Sequence, residues 1–397
     1  MVASPVMSRA ALKADCPRRE LFEAVQTVGH AVSGRSSLPI LSHILIQAEE
    51  NGLRLIATDL EMGISCRISA QIEEFGALTA PSKTLAEVLA NLPDKGDVAI
   101  SVDKSHTVRI HCETSDYKIL GLPAEDYPKL PDVADSVTYT VPQARMREMI
   151  RHTLFGVSTD ETRAILTGVL MVFEGDTLRF VATDTHRLAS IVSGVSGGKG
   201  AQNAIVPARA LTELMRLLTD ADGDVIVTLN NNQIQFDLPG DAGVQIVSRL
   251  IEGQFPNYQR VIPVSYQKRL RIPVEPLLRA VRRASIVARE NANRVILKTV
   301  EDKLILTAES QTVGNAYEEV EITREGEDVQ IAFNSRYLLD VLMVLDSEWV
   351  YLELTEPLKP GVLRPAPAQQ ADGETARSGD GATDPDYLCV LMPMQIV

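Results

Sequence analysis

The sequence is poor in reactive residues. Its 397 positions hold only four cysteines, Cys16, Cys66, Cys112 and Cys389, widely scattered and without a C-x-x-C pair. That spacing excludes a zinc ribbon or a disulfide framework and leaves reduced, buried thiols as the expectation. Aromatic residues make up 5% and Trp349 is the single tryptophan, too few for a protein that stacks the bases of a single strand. No H-E-x-x-H, P-loop or G-x-G-x-x-G is present, so the commonest metallopeptidase and nucleotide-binding patterns are missing. No apolar run could span a bilayer. The start, MVASPVMSRAALKADC, lacks the basic end and apolar block of a secretion signal. The expected address is cytoplasmic, with no membrane partner. Positive charge is in deficit, the net charge being −14. Evenly spread, that charge repels nucleic acid.

What the chain does contain is itself, three times. PSKTLAEVLANL from Pro81, PARALTELMRLL from Pro207 and NSRYLLDVLMVL from Asn334 align at offsets of 126 and 127 residues. Lys83, Arg209 and Arg336 share the third place, and Leu85, Leu211 and Leu338 the fifth. Pro, or Asn with Ser, at the front is a helix-start signal. A second helix recurs from Pro17, Pro142 and Pro273, with apolar pairs four apart on one face. LRLIATDLEM from Leu53, LRFVATDTHR from Leu178 and LILTAESQTV from Leu304 read as strands entering turns. YKILGLP from Tyr117 and the near-terminal YLCVLMP from Tyr387 close the first and third series. The Pro- and Gly-rich stretch at about 357–386 reads as a long disordered hairpin loop. Three α+β domains follow, at 1–136, 137–265 and 266–397, each with two helices packed on antiparallel sheets.

Charge is segregated by element type. The six repeated helices hold 13 basic and 8 acidic residues, a surplus of +5, so the remainder carries −19. A cationic helical layer inside an anionic body is suited to weak, salt-sensitive contact with phosphates rather than to reading sequence. Weak contact and three similar domains together point to holding by enclosure.

RSSLPILSHILI with Arg35, ATDLEM, FPNYQRVIP, VATDTHRLA, FNSRYLLDVL and the closing MPM together resemble the bacterial sliding clamps, the β subunits of DNA polymerase III, over nearly the whole chain. The resemblance implies a head-to-tail homodimer whose six domains close a ring around double-stranded DNA, helices inside and sheets outside. It implies a replication processivity factor without catalytic chemistry or cofactor. Its partners would be the polymerase III α subunit, clamp-loader subunits, and other polymerases and repair proteins. These insert a short linear peptide, with a Gln and apolar residues, into a pocket between domains two and three.

The positions matching that pocket are Leu166, Thr183, Thr185, His186, Arg187, Leu188, Pro256, Val261, Val390, Met392, Pro393 and Met394. On this reading the apolar tail lines a groove, a role suited to flexible methionine. Copies one and three lack the THRL of copy two, so one pocket per chain is expected. Arg35 and Lys83 match family positions that contact DNA, and the repeat adds Arg209 and Arg336. Tyr117 and Ile119 match apolar positions on an edge strand at the ring joint, with Leu277 and Leu278 expected to meet them from the other chain. The sequence departs from the family at Thr185, where Gly is usual, and in ending Gln395, Ile396, Val397. A tyrosine pair seen in some members is Ala164 and Ile165 here.

Two rival classes remain at this stage. Asp184 and His186, two apart at a strand end, are placed as in some hydrolase pairs. A triplicated scaffold that binds proteins but not DNA is the other.

Overall fold

The computed structural model describes residues 11–33, 38–93, 96–131, 133–134, 136–198, 201–219, 223–240, 242–367 and 387–396. Within them one order of elements occurs three times. Copy one runs β1 (Lys13–Pro17), α1 (Arg18–Gly29), β2 (His43–Glu49), β3 (Gly52–Thr58), β4 (Met62–Ile68), β5 (Gln71–Glu74), β6 (Ala77–Pro81), α2 (Ser82–Asn91), β7 (Asp97–Val102), β8 (Thr107–Cys112) and β9 (Ser115–Leu120). Copy two runs β10 (Val137–Pro142), α3 (Gln143–Thr153), β11 (Gly168–Glu174), β12 (Thr177–Thr183), β13 (Arg187–Gly194), β14 (Ser196–Gly197), β15 (Ala201–Pro207), α4 (Ala208–Leu217), β16 (Asp224–Leu229), β17 (Gln233–Leu238) and β18 (Val244–Arg249). Copy three runs β19 (Lys268–Pro273), α5 (Val274–Ala288), β20 (Arg294–Val300), β21 (Lys303–Ser310), β22 (Gly314–Glu321), β23 (Thr323–Glu325), β24 (Gln330–Asn334), α6 (Ser335–Val344), β25 (Trp349–Leu354), β26 (Gly361–Ala366) and β27 (Leu388–Leu391).

The first and sixth strands of every copy run directly into a helix. Five of these six strands end on proline: Pro17, Pro81, Pro142, Pro207 and Pro273. Proline fixes φ and has no N–H to waste, so it can close a strand and open a helix in one residue. The sixth ends on Asn334, whose side chain accepts the N–H of Arg336 at 2.9 Å, an ordinary N-cap. Each helix then buries an i, i+3, i+4 stripe: Leu21, Ala24, Val25 and Val28 on α1, and Leu277, Ala280, Val281 and Ala284 on α5.

Each copy contributes strands to two sheets in a fixed way. The fifth, first, seventh, eighth and ninth strands form a group of five; the fourth, third, second and sixth form a group of four. The five-strand group of copy two joins the four-strand group of copy one through β18 and β4, antiparallel, with Ile246 opposite Ile64. The five-strand group of copy three joins the four-strand group of copy two through β27 and β13, with Cys389 opposite Ala189. Each seam makes a nine-stranded sheet. What remains is a five-stranded sheet ending on β9 and a four-stranded sheet ending on β22.

The chain accordingly gathers into two compact units that divide the middle copy. One holds copy one and the five-strand group of copy two, and the other holds the four-strand group of copy two and copy three. In the first, α1 packs on β3 and β4; in the second, α5 packs on β21 and β22. All four cysteines are free and buried. Burial pushes the Cys16, Cys66 and Cys389 thiols up to about 12, so they are inert.

Two expectations change. The stretch expected as a disordered loop contains strand β26 at Gly361–Ala366, paired with both β25 and β27; residues 368–386 and the first ten lie outside the described residues. Leu277 and Leu278 are 1% and 8% exposed within their own unit. Their surface is already spent on the chain's own core, so they offer little to another subunit.

Candidate functional site

The sequence Thr183-Asp184-Thr185-His186-Arg187 folds into a tight turn between β12 and β13. Thr183 Oγ1 donates to the carbonyl of Arg187 at 2.7 Å and accepts the N–H of Thr185 at 3.2 Å. Asp184 Oδ1 accepts the N–H groups of His186 and Arg187 at 2.8 and 3.0 Å. Copy one builds the same turn with Thr58, Asp59, Leu60 and Met62. In both, the middle residue has a left-handed backbone, φ 79° at Thr185 and 78° at Leu60, where glycine is favoured. Thr185 is thus strained.

Arg187 is the hub of this corner. Its Nε donates to Asp184 Oδ2 at 3.1 Å and its NH1 to Asp340 Oδ2 at 2.5 Å. Its guanidinium lies 4.5 Å from the Tyr337 ring and 5.3 Å from that of Phe155. The His186 ring stacks against the same Tyr337, centroids 6.3 Å apart.

The tail is laid against this turn. β27 lies between β13 and β26, then Met392 N donates to the carbonyl of His186 at 2.9 Å and Met394 N to that of Ala332 at 2.8 Å. Arg294 holds the carbonyl of Gln395 at 3.1 Å. Met392, Pro393 and Met394 are all half-buried.

Beside the turn, Leu170, Val181, Leu188, Ile205, Val362, Leu388 and Val390 form one buried apolar cluster, with Val261, Phe255, Tyr258 and Ile165 packed against it. The structure therefore brings together Thr183, Thr185, His186, Arg187, Leu188, Val261, Val390, Met392, Pro393 and Met394. Leu166 is buried nearby in the 3-10 turn Glu161–Thr167, and Pro256 is exposed on the loop between Phe255 and Tyr258. Sequence reasoning missed Val362, Tyr337 and Asp340. The "FNSRYLLDVL" repeat contained the last two; Val362 fell in the stretch read as disordered.

Lys83, Arg209 and Arg336 each occupy the second residue of a helix (α2, α4 and α6), and all three are exposed. A cation there opposes the helix dipole and costs stability. Its recurrence in three copies is not what folding alone selects. An exposed cation at the start of a helix suits a phosphate. Arg35 lies outside the described residues. Elsewhere on the helices, Arg19 pairs with Glu23, Arg145 with Glu148, and Arg279 with Glu275.

On the edge strand β9, which among the described residues pairs with β8 alone, Ile119 is buried but Tyr117 and Leu120 are 39% and 76% exposed; on the edge of β22, Tyr317 is 60% exposed. Unpaired edges with exposed side chains are ready for another strand.

The hydrolase reading fails on geometry. Both oxygens of Asp184 are taken by the turn and by Arg187, and the His186 ring packs on Tyr337. One spacing escaped the sequence reading: Gly194-Val195-Ser196-Gly197-Gly198 spells G-x-S-x-G. It joins β13 to β14, strand to strand, without the strand-to-helix turn a nucleophile elbow needs.

Comparison with known proteins agrees with these features. Three family models match, described as the N-terminal, central and C-terminal domains of the DNA polymerase III beta subunit, at residues 12–131, 140–257 and 259–375. The chain is 34% identical over 378 residues to the beta sliding clamp of Synechocystis, covering 89% of this chain and 96% of the relative. It is 33% identical over 361 residues to that of Escherichia coli K12, covering 91% and 98%. The crystal structure of the DNA polymerase sliding clamp from Bacillus subtilis superposes with a TM-score of 0.89 at 28% identity, over 97% of this chain and all of that one.

Proposed function

This chain belongs to the family of DNA polymerase III beta subunits, the bacterial sliding clamps, and from that membership we propose how its surfaces share the work. The protein is a processivity subunit: it tethers polymerase to DNA and catalyses nothing itself. Two copies join head to tail into a ring around duplex DNA in the cytoplasm. Each chain supplies three domains, divided near residues 136 and 265.

The observation that carries this reading is the arithmetic of the seams. Two of the three five-strand groups are joined to a four-strand group within the chain, and one of each is left over. The missing seam is β9 of one copy against β22 of the next. The two internal seams set its register. β3·β4, β12·β13 and β21·β22 pairings make Ile64, Ala189 and Ala316 equivalent. Pairings in the other group, followed from the equivalent prolines Pro17, Pro142 and Pro273, make Tyr117, Ile246 and Cys389 equivalent. Tyr117 then lies opposite the partner subunit's Ala316, and Lys118 opposite the partner subunit's Asn315. Tyr117 and Ile119 keep the role expected of them, while the edge strand β22 replaces Leu277 and Leu278 as the opposing surface.

DNA is held loosely. Lys83, Arg209, Arg336 and Arg35 contact phosphates, and the ring prevents escape without sequence reading. The patch around Leu188, Val390, Val362 and the tail receives the Gln-bearing apolar peptide of the polymerase α subunit, clamp-loader subunits and other polymerases and repair proteins. Arg187, fixed by Asp184 and Asp340, holds the turn that forms its wall. The test is topological. Loaded protein should stay on closed circular DNA and be lost once the circle is cut. Equal retention on both forms would leave the scaffold reading instead.

A further inference from the structure

We propose that the seam between copies one and two holds a counterpart of the peptide patch, and that the chain keeps it shut by seating its own Leu130 there. This rests on the peptide-binding reading of the second seam and adds a closed site to the open one. Strand pairing makes the two places equivalent. Leu45, Ile56 and Gly63 stand in copy one where Leu170, Val181 and Leu188 stand in copy two. Val247 lies opposite Gly63 as Val390 lies opposite Leu188. Ile40 and Ile165, each five residues before the first of these leucines, pack on the respective clusters. The turns beside them share one hydrogen-bond pattern, built on Asp59 and on Asp184.

The two seams differ in what fills them. Gly63 lies inside β4, and a β-carbon added to it would overlap Leu130 Cδ2. Glycine weakens a strand interior and marks a place where another group comes close. Here that group is a leucine side chain from the linker after β9. Leu130 packs on the cluster of Leu45, Ile56 and Tyr127. At the second seam the same strand position carries Leu188, itself part of the wall.

The linker is fixed so that Leu130 reaches this place. Thr79 Oγ1 accepts the N–H of Leu122 at 2.8 Å and donates to the Leu122 carbonyl at 2.7 Å. Tyr127 is 5% exposed, and its hydroxyl donates to the carbonyl of His43 at 3.0 Å. Pro123, Pro128 and Pro131 restrict the backbone around these anchors. Leu130 therefore acts as a tethered ligand, at an effective concentration that a free peptide cannot match.

The first seam also has the poorer wall. Gln235 and Gln245 stand where the second has Val362 and Leu388. Their amides are tied to Asp237 at 2.8 and 2.9 Å. Once vacated, this site should hold an apolar peptide side chain less tightly than the open one.

The probe is the peptide Gln-Leu-Ala-Leu-Phe carrying fluorescein, or a benzophenone in place of its last ring, applied to the full-length protein. Titration gives the number bound per chain, and mapping of the photocrosslinks gives the place. The unaltered protein should take one peptide per chain and crosslink in copies two and three alone. Leu130→Ala vacates the first seam, and Gly63→Ala expels Leu130 from it. Each should take a second peptide, about tenfold weaker than the first, with crosslinks in copy one and unchanged affinity at the open site. In Gly63→Ala, trypsin should also cut after Lys129 about tenfold faster. One peptide per chain in both variants, with the open site still binding, overturns the proposal. So do crosslinks in copy one of the unaltered protein, because the first seam would then not be shut. If no peptide binds the unaltered protein, the patch reading falls first and takes this one with it.

Discussion

The backbone N–H of Met392 donates to the carbonyl of His186 at 2.9 Å, tying the last residues of copy three to the turn of copy two. Segments far apart along the chain thus make one surface. Ending the chain after Leu391 removes Met392, Pro393 and Met394 but leaves β27, β9 and β22 intact. Binding of a Gln-bearing apolar peptide should weaken at least tenfold, on the order of 1.4 kcal/mol or more, while sedimentation still reports a dimer. Unchanged peptide affinity would remove the tail from the site.

Thr185 sits at φ 79°. An L-residue there carries roughly 1 kcal/mol of strain, partly offset because glycine loses more backbone entropy on folding. Thr185→Gly should therefore raise stability by about 0.5 kcal/mol in urea unfolding, and Leu60→Gly should do the same. A loss in both variants would mean that the turn's side-chain interactions outweigh the strain. Thr185 accepts a hydrogen bond from Arg163 at 3.3 Å, which the apolar Leu60 side chain cannot do.

Acid sensitivity follows from two histidines. Burial holds the rings of His43 and His152 below the usual histidine value. Above about pH 6.5 both are neutral, folded or unfolded. As pH falls below that, the unfolded chain takes up protons that the folded chain resists, so stability drops until the folded values are passed. Urea midpoints should be lower at about pH 5.5 than at about pH 7.5. His152→Gln should narrow the difference. A midpoint independent of pH across this window would refute the assignment.

For DNA, replacing Lys83, Arg209 or Arg336 by Gln should reduce the steepness of the salt dependence by about one unit of slope for each phosphate left unneutralised. The weakening should be uniform across DNA sequences. A variant that alters affinity for one sequence alone would point to base reading.

The seam register is open to a crosslinking test. Lys118→Cys with Asn315→Cys places two thiols directly opposite each other and should give a covalent dimer under mild oxidation. Lys118→Cys with Ala316→Cys puts them one residue out of register on opposite faces and should not. The native cysteines are all buried and give a quiet background.

Much of the fold was legible in the chain. The six helix starts were visible because proline and asparagine mark them, and the three copies because apolar spacing repeats at a fixed period. The placing of Tyr117 on an edge strand was visible too. Val362 was hidden: the short strand GVLRPA lies between prolines and beside a polar stretch, and only its pairing with Val390 makes it a strand. Tyr337 and Asp340 looked like surface positions of an ordinary helix until the fold set them against Arg187. Copy three also has one more residue in its turn: Leu304 pairs with Val320, where Leu178 pairs with Ser193. Direct alignment therefore slips by one along β22, and only backbone pairing corrects it.

Two seams of one design lie within the chain, and the proposed third lies between chains. The first two re-form at the high effective concentration set by a covalent tether, whereas the third depends on how many molecules are in solution. Dilution should thus act on one joint and spare the others. The same strand chemistry would serve as permanent masonry in two places and as a latch in the third.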